Sequence, residues 1–135
     1  MIFKRAVTLI EIMVVLIIIA ILIALALPGF NQTKERGLTK EAKANLKLIS
    51  VAEKIYRMKN AFYYPYSGSE TVASNINESL KVKLFEENWD YSITKVGSYF
   101  TIYANRTAGA YPSCQYRLGW NLTDEPAPSN PGDCP

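Results

Sequence analysis

The sequence predicts an α+β protein: a long N-terminal α-helix, apolar in its first half, then a small antiparallel β-sheet of three to four strands. Three observations predict it. From Ile12 to Leu27 no side chain is charged or strongly polar. Beyond that run, apolar residues recur every three to four positions as far as Tyr56, a helical period. From Trp89 onward, β-branched and aromatic residues gather in short runs separated by glycines.

The first element is the apolar run. Val7 to Leu27 is 21 residues, which as a helix spans about 30 Å, one hydrocarbon core. Lys4 and Arg5 precede it, so the positive-inside rule keeps the N-terminus cytoplasmic and sends the rest outward. One carboxylate, Glu11, interrupts the head of the run. A signal anchor and a cleaved secretory signal peptide are both open. The second would cut after Ala24-Leu25-Ala26 and leave a mature N-terminus at Leu27.

Pro28-Gly29 should kink or locally unwind the helix. After it, Lys34 to Lys59 reads as helix. Ala42, Leu46, Ile49, Ala52 and Tyr56 form an apolar stripe, which Leu48, Val51, Ile55 and Met58 widen. That face requires a partner: a sheet, or other copies of the helix. Opposite it run Arg36, Lys40, Lys43, Lys47, Ser50, Lys54 and Arg57. With Glu35, Glu41 and Glu53 close by, this basic stripe reads as a solvated face, and nucleic acid is not a predicted partner.

Pro65 and Gly68 in "AFYYPYSGS" end the helix. Asn75 with Glu78 three residues on predicts a capping-box start and a short helix over about 76–84. Strands follow at 89–96, 98–106 and 113–121. Trp89, Tyr91 and Ile93, and Tyr99, Thr101 and Tyr103, alternate with neighbours of the other face. Gly97 marks the first turn and Gly109 lies in the second connection. The tail "TDEPAPSNPGDCP" is rich in proline, lacks periodicity and reads as loop.

Composition narrows the function. The chain has 135 residues and a net charge of +3, of which Lys4 and Arg5 supply two; the remainder is near neutral, against a general nucleic-acid binder. It has no histidine, which excludes His-ligated metal and His-based acid–base catalysis. No phosphate loop or nucleophile motif appears, so no catalytic, cofactor-binding or metal residue is assigned and no enzyme is predicted. Asp124, Glu125 and Asp133 could be read as calcium ligands, but they are few and unspaced. The sixteen aromatics are read as core and strand packing. Four N-x-S/T triplets, at Asn31, Asn77, Asn105 and Asn121, carry no claim of glycosylation. Cys114 and Cys134 in an exported chain predict a disulfide rather than two thiols. Closing a loop of about 20 residues stabilises by about 3 kcal/mol.

The N-terminus resembles the type IV prepilin and pseudopilin family. That pattern is a short basic leader, a small residue at the cut, a hydrophobic residue, then Thr-Leu-Ile-Glu and an apolar helix. Here the leader is Met1–Ala6, cleavage falls between Ala6 and Val7, and Thr8, Leu9, Ile10 and Glu11 match the motif. Pro28 falls at the twenty-second mature position, where the family has a proline. Ala6 stands for the usual glycine, Val7 for the usual phenylalanine, and Ala20 for a glycine that often loosens the helix.

The resemblance implies four regions: leader 1–6, transmembrane and filament-core helix 7–28, amphipathic helix half 29–60, and globular region 61–135. It implies that the helix packs by its second half on the sheet, and that the Cys114–Cys134 loop matches the disulfide-bounded loop of pilins. Its implied partners are a prepilin peptidase, which cuts and N-methylates Val7, an inner-membrane assembly platform and ATPase, the inner membrane itself, and other copies in a helical filament. Thr8, Leu9, Ile10, Glu11 and Pro28 would serve assembly. The expected function is a pilin of a cell-surface filament. A type II secretion pseudopilin, whose major forms usually lack such a disulfide and use calcium there, is the alternative, and a secreted soluble binding domain the further one.

Overall fold

The computed structural model describes residues 7–120 and 125–135, with side chains for all of these except residues 26–28. The expected leader, with Ala6, and residues Asn121 and Asp124 lie outside the described residues. The chain divides into two compact units, residues 1–34 and residues 35–135.

Helix α1 spans Leu9–Asn60. In the first unit its side chains from Leu9 to Leu25 are exposed, so nothing in the unit covers them. α1 continues as helix through Pro28 and Gly29, so the chain does not unwind there but bends, the first of the two outcomes expected at Pro28-Gly29. Among the described residues no single helix is long and apolar enough to cross a membrane. The stretches Leu9–Leu25 and Gly29–Asn60 taken together qualify, by length and composition only.

The second unit is a sheet covered by the later part of α1. Strands β1 (Gly68–Glu70), β2 (Trp89–Val96), β3 (Tyr99–Arg106), β4 (Gln115–Gly119) and β5 (Ala127–Pro128) lie in sequence order. Every neighbouring pair is antiparallel. The sheet has five strands rather than three to four. β1 and β5 are three and two residues long and carry no apolar alternation, so only their pairing reveals them. β5 lies within the tail read as loop. Its proline sits at the sheet edge, where a missing N–H costs no ladder bond.

Period-2 alternation fixes which side of each strand meets α1. Trp89, Tyr91 and Ile93 of β2, Phe100, Ile102 and Ala104 of β3, and Tyr116 and Leu118 of β4 are buried. Tyr99, Thr101 and Tyr103 occupy the other face of β3. Ala42, Leu46, Ile49 and Ala52 of α1 complete the core, with Tyr56 partly buried against it. The predicted stripe therefore packs on the sheet. Its predicted widening does not: Leu48, Val51, Ile55 and Met58 are 44–79% exposed. They lie round the helix from the buried stripe, Val51 at the rim of a cleft beside β4.

Helix α2 is Ala73–Leu80, three residues earlier than expected, and the Asn75 capping box does not form. Val72 is the N-cap and gives no side-chain hydrogen bond. Glu70 instead holds the chain that leads into the helix. Its Oε1 accepts the Thr71 and Val72 N–H groups at 2.9 Å, and its Oε2 accepts from Asn75 Nδ2 at 3.2 Å. The Val72 bond above all holds the Glu70 carboxyl below its usual value, with Asn75, Tyr64 and Thr71 adding to it.

Candidate assembly site

The candidate site begins at the start of α1. Thr8 is the last residue before the helix, and its carbonyl accepts the Glu11 and Ile12 N–H groups at 3.1 and 3.3 Å. Its Oγ1 also accepts from the Glu11 N–H, at 3.4 Å. Thr8-Leu9-Ile10-Glu11 is thus a capping-box sequence whose forward bond is made. Glu11 sits in the first turn, where the helix dipole favours a negative charge. Sequence reasoning placed Glu11 at the helix start but missed the threonine cap, although the T-x-x-E spacing carries it.

Val7, Leu9 and Ile10 are 62%, 79% and 69% exposed. The structure therefore brings Thr8 and Glu11 together and leaves the other motif side chains open. Pro28 lies farther along the same helix.

In the second unit two charged groups are buried that the sequence reading assigned to a solvated face. Glu53 is fully buried. Its Oε2 accepts the Tyr64 N–H at 2.9 Å, while Oε1 has no partner among the described residues. Burial pushes its carboxyl up to about 7, against the lowering effects of the Tyr64 N–H and the Lys95 charge. The signal was there: position 53 continues the Leu46–Ile49–Tyr56 stripe at i+4 from Ile49.

Glu35 meets Arg106. Both carboxylate oxygens accept from Arg106 Nη2 at 3.2 Å, with side chains 12% and 4% exposed. Arg106 Nη1 donates to the Asn88 carbonyl at 3.1 Å, and the guanidinium lies over the Trp89 ring. Trp89 Nε1 in turn donates to the Leu38 carbonyl at 3.0 Å. Gly109, at φ 106°, passes so close that an added Cβ would lie 2.9 Å from Arg106 Nη2. This cluster ties α1 to the Trp89 end of the sheet.

The cysteines are joined. Cys114 and Cys134 form a disulfide with Cα atoms 4.8 Å apart. Cys114 immediately precedes β4 rather than lying inside the last strand, and the bridge holds the segment carrying β5. Of the residues considered for calcium, Glu125 instead accepts from Lys47 Nζ at 2.7 Å, and Asp133 accepts from Asn130 at 3.2 Å. Among the described residues no three His, Cys, Asp or Glu side chains gather as a metal site.

Comparison with known proteins bears on the N-terminal segment. Residues 1–27 match the family described as the prokaryotic N-terminal methylation motif. The type IV major pilin protein PilA of Myxococcus xanthus (strain DK1622) is 46% identical over 53 residues, 39% of this chain and 24% of that protein. The chain thus matches only about a quarter of that relative's length. No solved structure matches the chain. The chain thus carries a prokaryotic N-terminal methylation motif over residues 1–27 and is similar over 53 residues to a type IV major pilin, and its layout of a long helix followed by a small antiparallel sheet is consistent with a type IV pilin fold.

Proposed function

We propose that the chain is a structural subunit of a type IV pilus-like filament. The observation that carries this is the row of exposed apolar side chains from Ile12 to Leu25, each large one at least 45% exposed, on a helix headed by the capped Glu11. Such a surface needs lipid first and other apolar helices later.

In this reading a prepilin peptidase cuts between Ala6 and Val7 and methylates the Val7 amine. The apolar helix waits in the inner membrane with the β-rich region outside. An assembly platform and ATPase then draw subunits into a cell-surface filament. Glu11, four residues from the new amine, pairs with it within one chain; in a bundle it meets the amine of the next subunit. An intramembrane carboxylate is costly and marks function, and where water is excluded that attraction sets the axial register. The Cys114–Cys134 loop favours the pilus over the secretion pseudopilus.

Mass spectrometry of membranes and sheared surface fractions tests the reading. The mature chain is expected to start at methylated Val7. A start at Leu27 would instead mark a secreted domain with a removed signal peptide. Glu11→Leu should leave the chain in the membrane and abolish filaments; assembly at the wild-type level would remove Glu11 from the mechanism.

A further inference from the structure

The second unit presents two unlike features at opposite ends of its sheet. One is a cleft of about 220 Å³ between α1 and the end of β4, lined by Lys47, Val51, Lys54, Leu118 and Trp120 among others. Trp120 is 42% exposed and stacks on Tyr99 with ring centroids 4.6 Å apart. Val51 and Met58 continue an apolar strip along α1, and Lys54 and Arg57 line the adjoining hollow with Met58. Lys47 is held by Glu125, whereas Lys54 makes no ion pair among the described residues.

The other feature is the segment leading into β2. Phe85 is 60% exposed, touched by the Lys83 ammonium over its ring, and is followed by the exposed carboxylates Glu86 and Glu87. It is an apolar ring with one cation and two carboxylates beside it, whereas the cleft, floored by apolar and aromatic groups, has Lys47 neutralised by Glu125 and Lys54 without an ion pair among the described residues.

The register places the cleft and the entry to β2, which the Phe85–Glu87 segment leads into, at opposite ends. Trp120 donates to the Phe100 carbonyl, and Phe100 pairs with Lys95. The Phe85–Glu87 segment joins the sheet at Trp89, which pairs with Arg106 at the other end. Six residues of strand separate the two levels, about 20 Å. A projection and a recess at opposite ends of one body make a heterologous contact, which repeats into an open array where it does not close into a ring.

We propose that copies of this chain dock head to tail, the Phe85–Glu87 projection of one entering the Lys54–Trp120 cleft of the next. This rests on the filament reading for its setting. The contact is small, and bundled apolar helices supply the effective concentration that makes it count. The charges then choose the neighbour and the register.

The test uses the full-length chain in cells. Phe85→p-benzoylphenylalanine should, on irradiation, yield dimers whose cross-links map by mass spectrometry to residues 47–54 or 118–120 of the second copy. Lys54→Glu should lower sheared filament yield by about tenfold or more, as should Glu87→Lys. The double reversal should restore it to within a few-fold, and Lys40→Glu, on an exposed part of α1 outside the cleft, should leave it unchanged. Filaments that form with cross-links elsewhere or with none, or a double reversal no better than the singles, overturn the docking and leave the filament reading standing. Cross-links at these positions without filaments would uphold the docking and sink the filament reading.

Discussion

Glu53 has two buried oxygens and, among the described residues, a single donor, the Tyr64 N–H. A folded-state value of about 7 against the usual 4.5 means that between those pH values the folded chain holds more protons than the unfolded one. Stability therefore falls as pH rises through that window, by about 3 kcal/mol in all. Glu53→Gln should flatten the slope and leave the variant more stable than wild type at pH 8, read from denaturant midpoints at pH 4 and pH 8. A wild-type midpoint independent of pH across this window would refute it. Gly109 makes the opposite case, where the smallest side chain is required. Gly109→Ala sets a methyl against Arg106 Nη2 at a positive φ, and should cost about 1–3 kcal/mol. Arg106→Met should cost more, about 3–5 kcal/mol, because Glu35 is left buried and unpaired. Thermal melts of the two variants should rank them in that order.

At the scale of elements, alternating aromatic and β-branched residues made β2 and β3 legible almost to the residue, and the core stripe of α1 was legible from its helical spacing. Three things were hidden, each for a physical reason. β1 and β5 exist through long-range pairing, and Gly-Ser-Glu or Ala-Pro has no pattern of its own. α2 starts just after the two residues whose N–H groups Glu70 holds, an acceptor that comes from the preceding strand rather than from the helix. The width of the apolar stripe misled because Leu48, Val51, Ile55 and Met58 share the helical period while staying exposed; periodicity reports a face but not whether the face is covered. For the same reason Glu53 and Glu35 passed as surface charges. The tail shows what a covalent tie adds to such weak elements. Ser129 donates to the Gln115 carbonyl at 2.8 Å, and β5 is held near β4 by the bridge five residues after Ser129. Cys114→Ser with Cys134→Ser should cost about 3 kcal/mol. It should also raise the exchange rate of the Ser129 amide well before that of Ile102 in the central strand.

At the scale of the molecule, the two units satisfy their apolar residues in different ways. Among the described residues, every member of the hydrophobic core lies between Ala42 and Cys134, and the Glu35–Arg106 pair closes that unit at its first residue. The described residues before it contribute exposed apolar side chains and no part of this core. A unit with its own core should fold without the rest of the chain. Residues 35–135, made where disulfides form, should therefore be soluble and unfold in one cooperative step. Starting instead at residue 40 removes Glu35, leaves Arg106 buried without its carboxylate, and should lower the melting temperature by several degrees or more. The full-length chain should require detergent or lipid, since burying about fifteen apolar side chains has no other route in a single copy. Size-exclusion chromatography and circular dichroism melts of the three chains check this. If the 35–135 chain aggregated or melted without cooperativity while the full-length chain in detergent did not, the apolar segment would be part of the fold itself, rather than the surface by which copies and membrane are engaged.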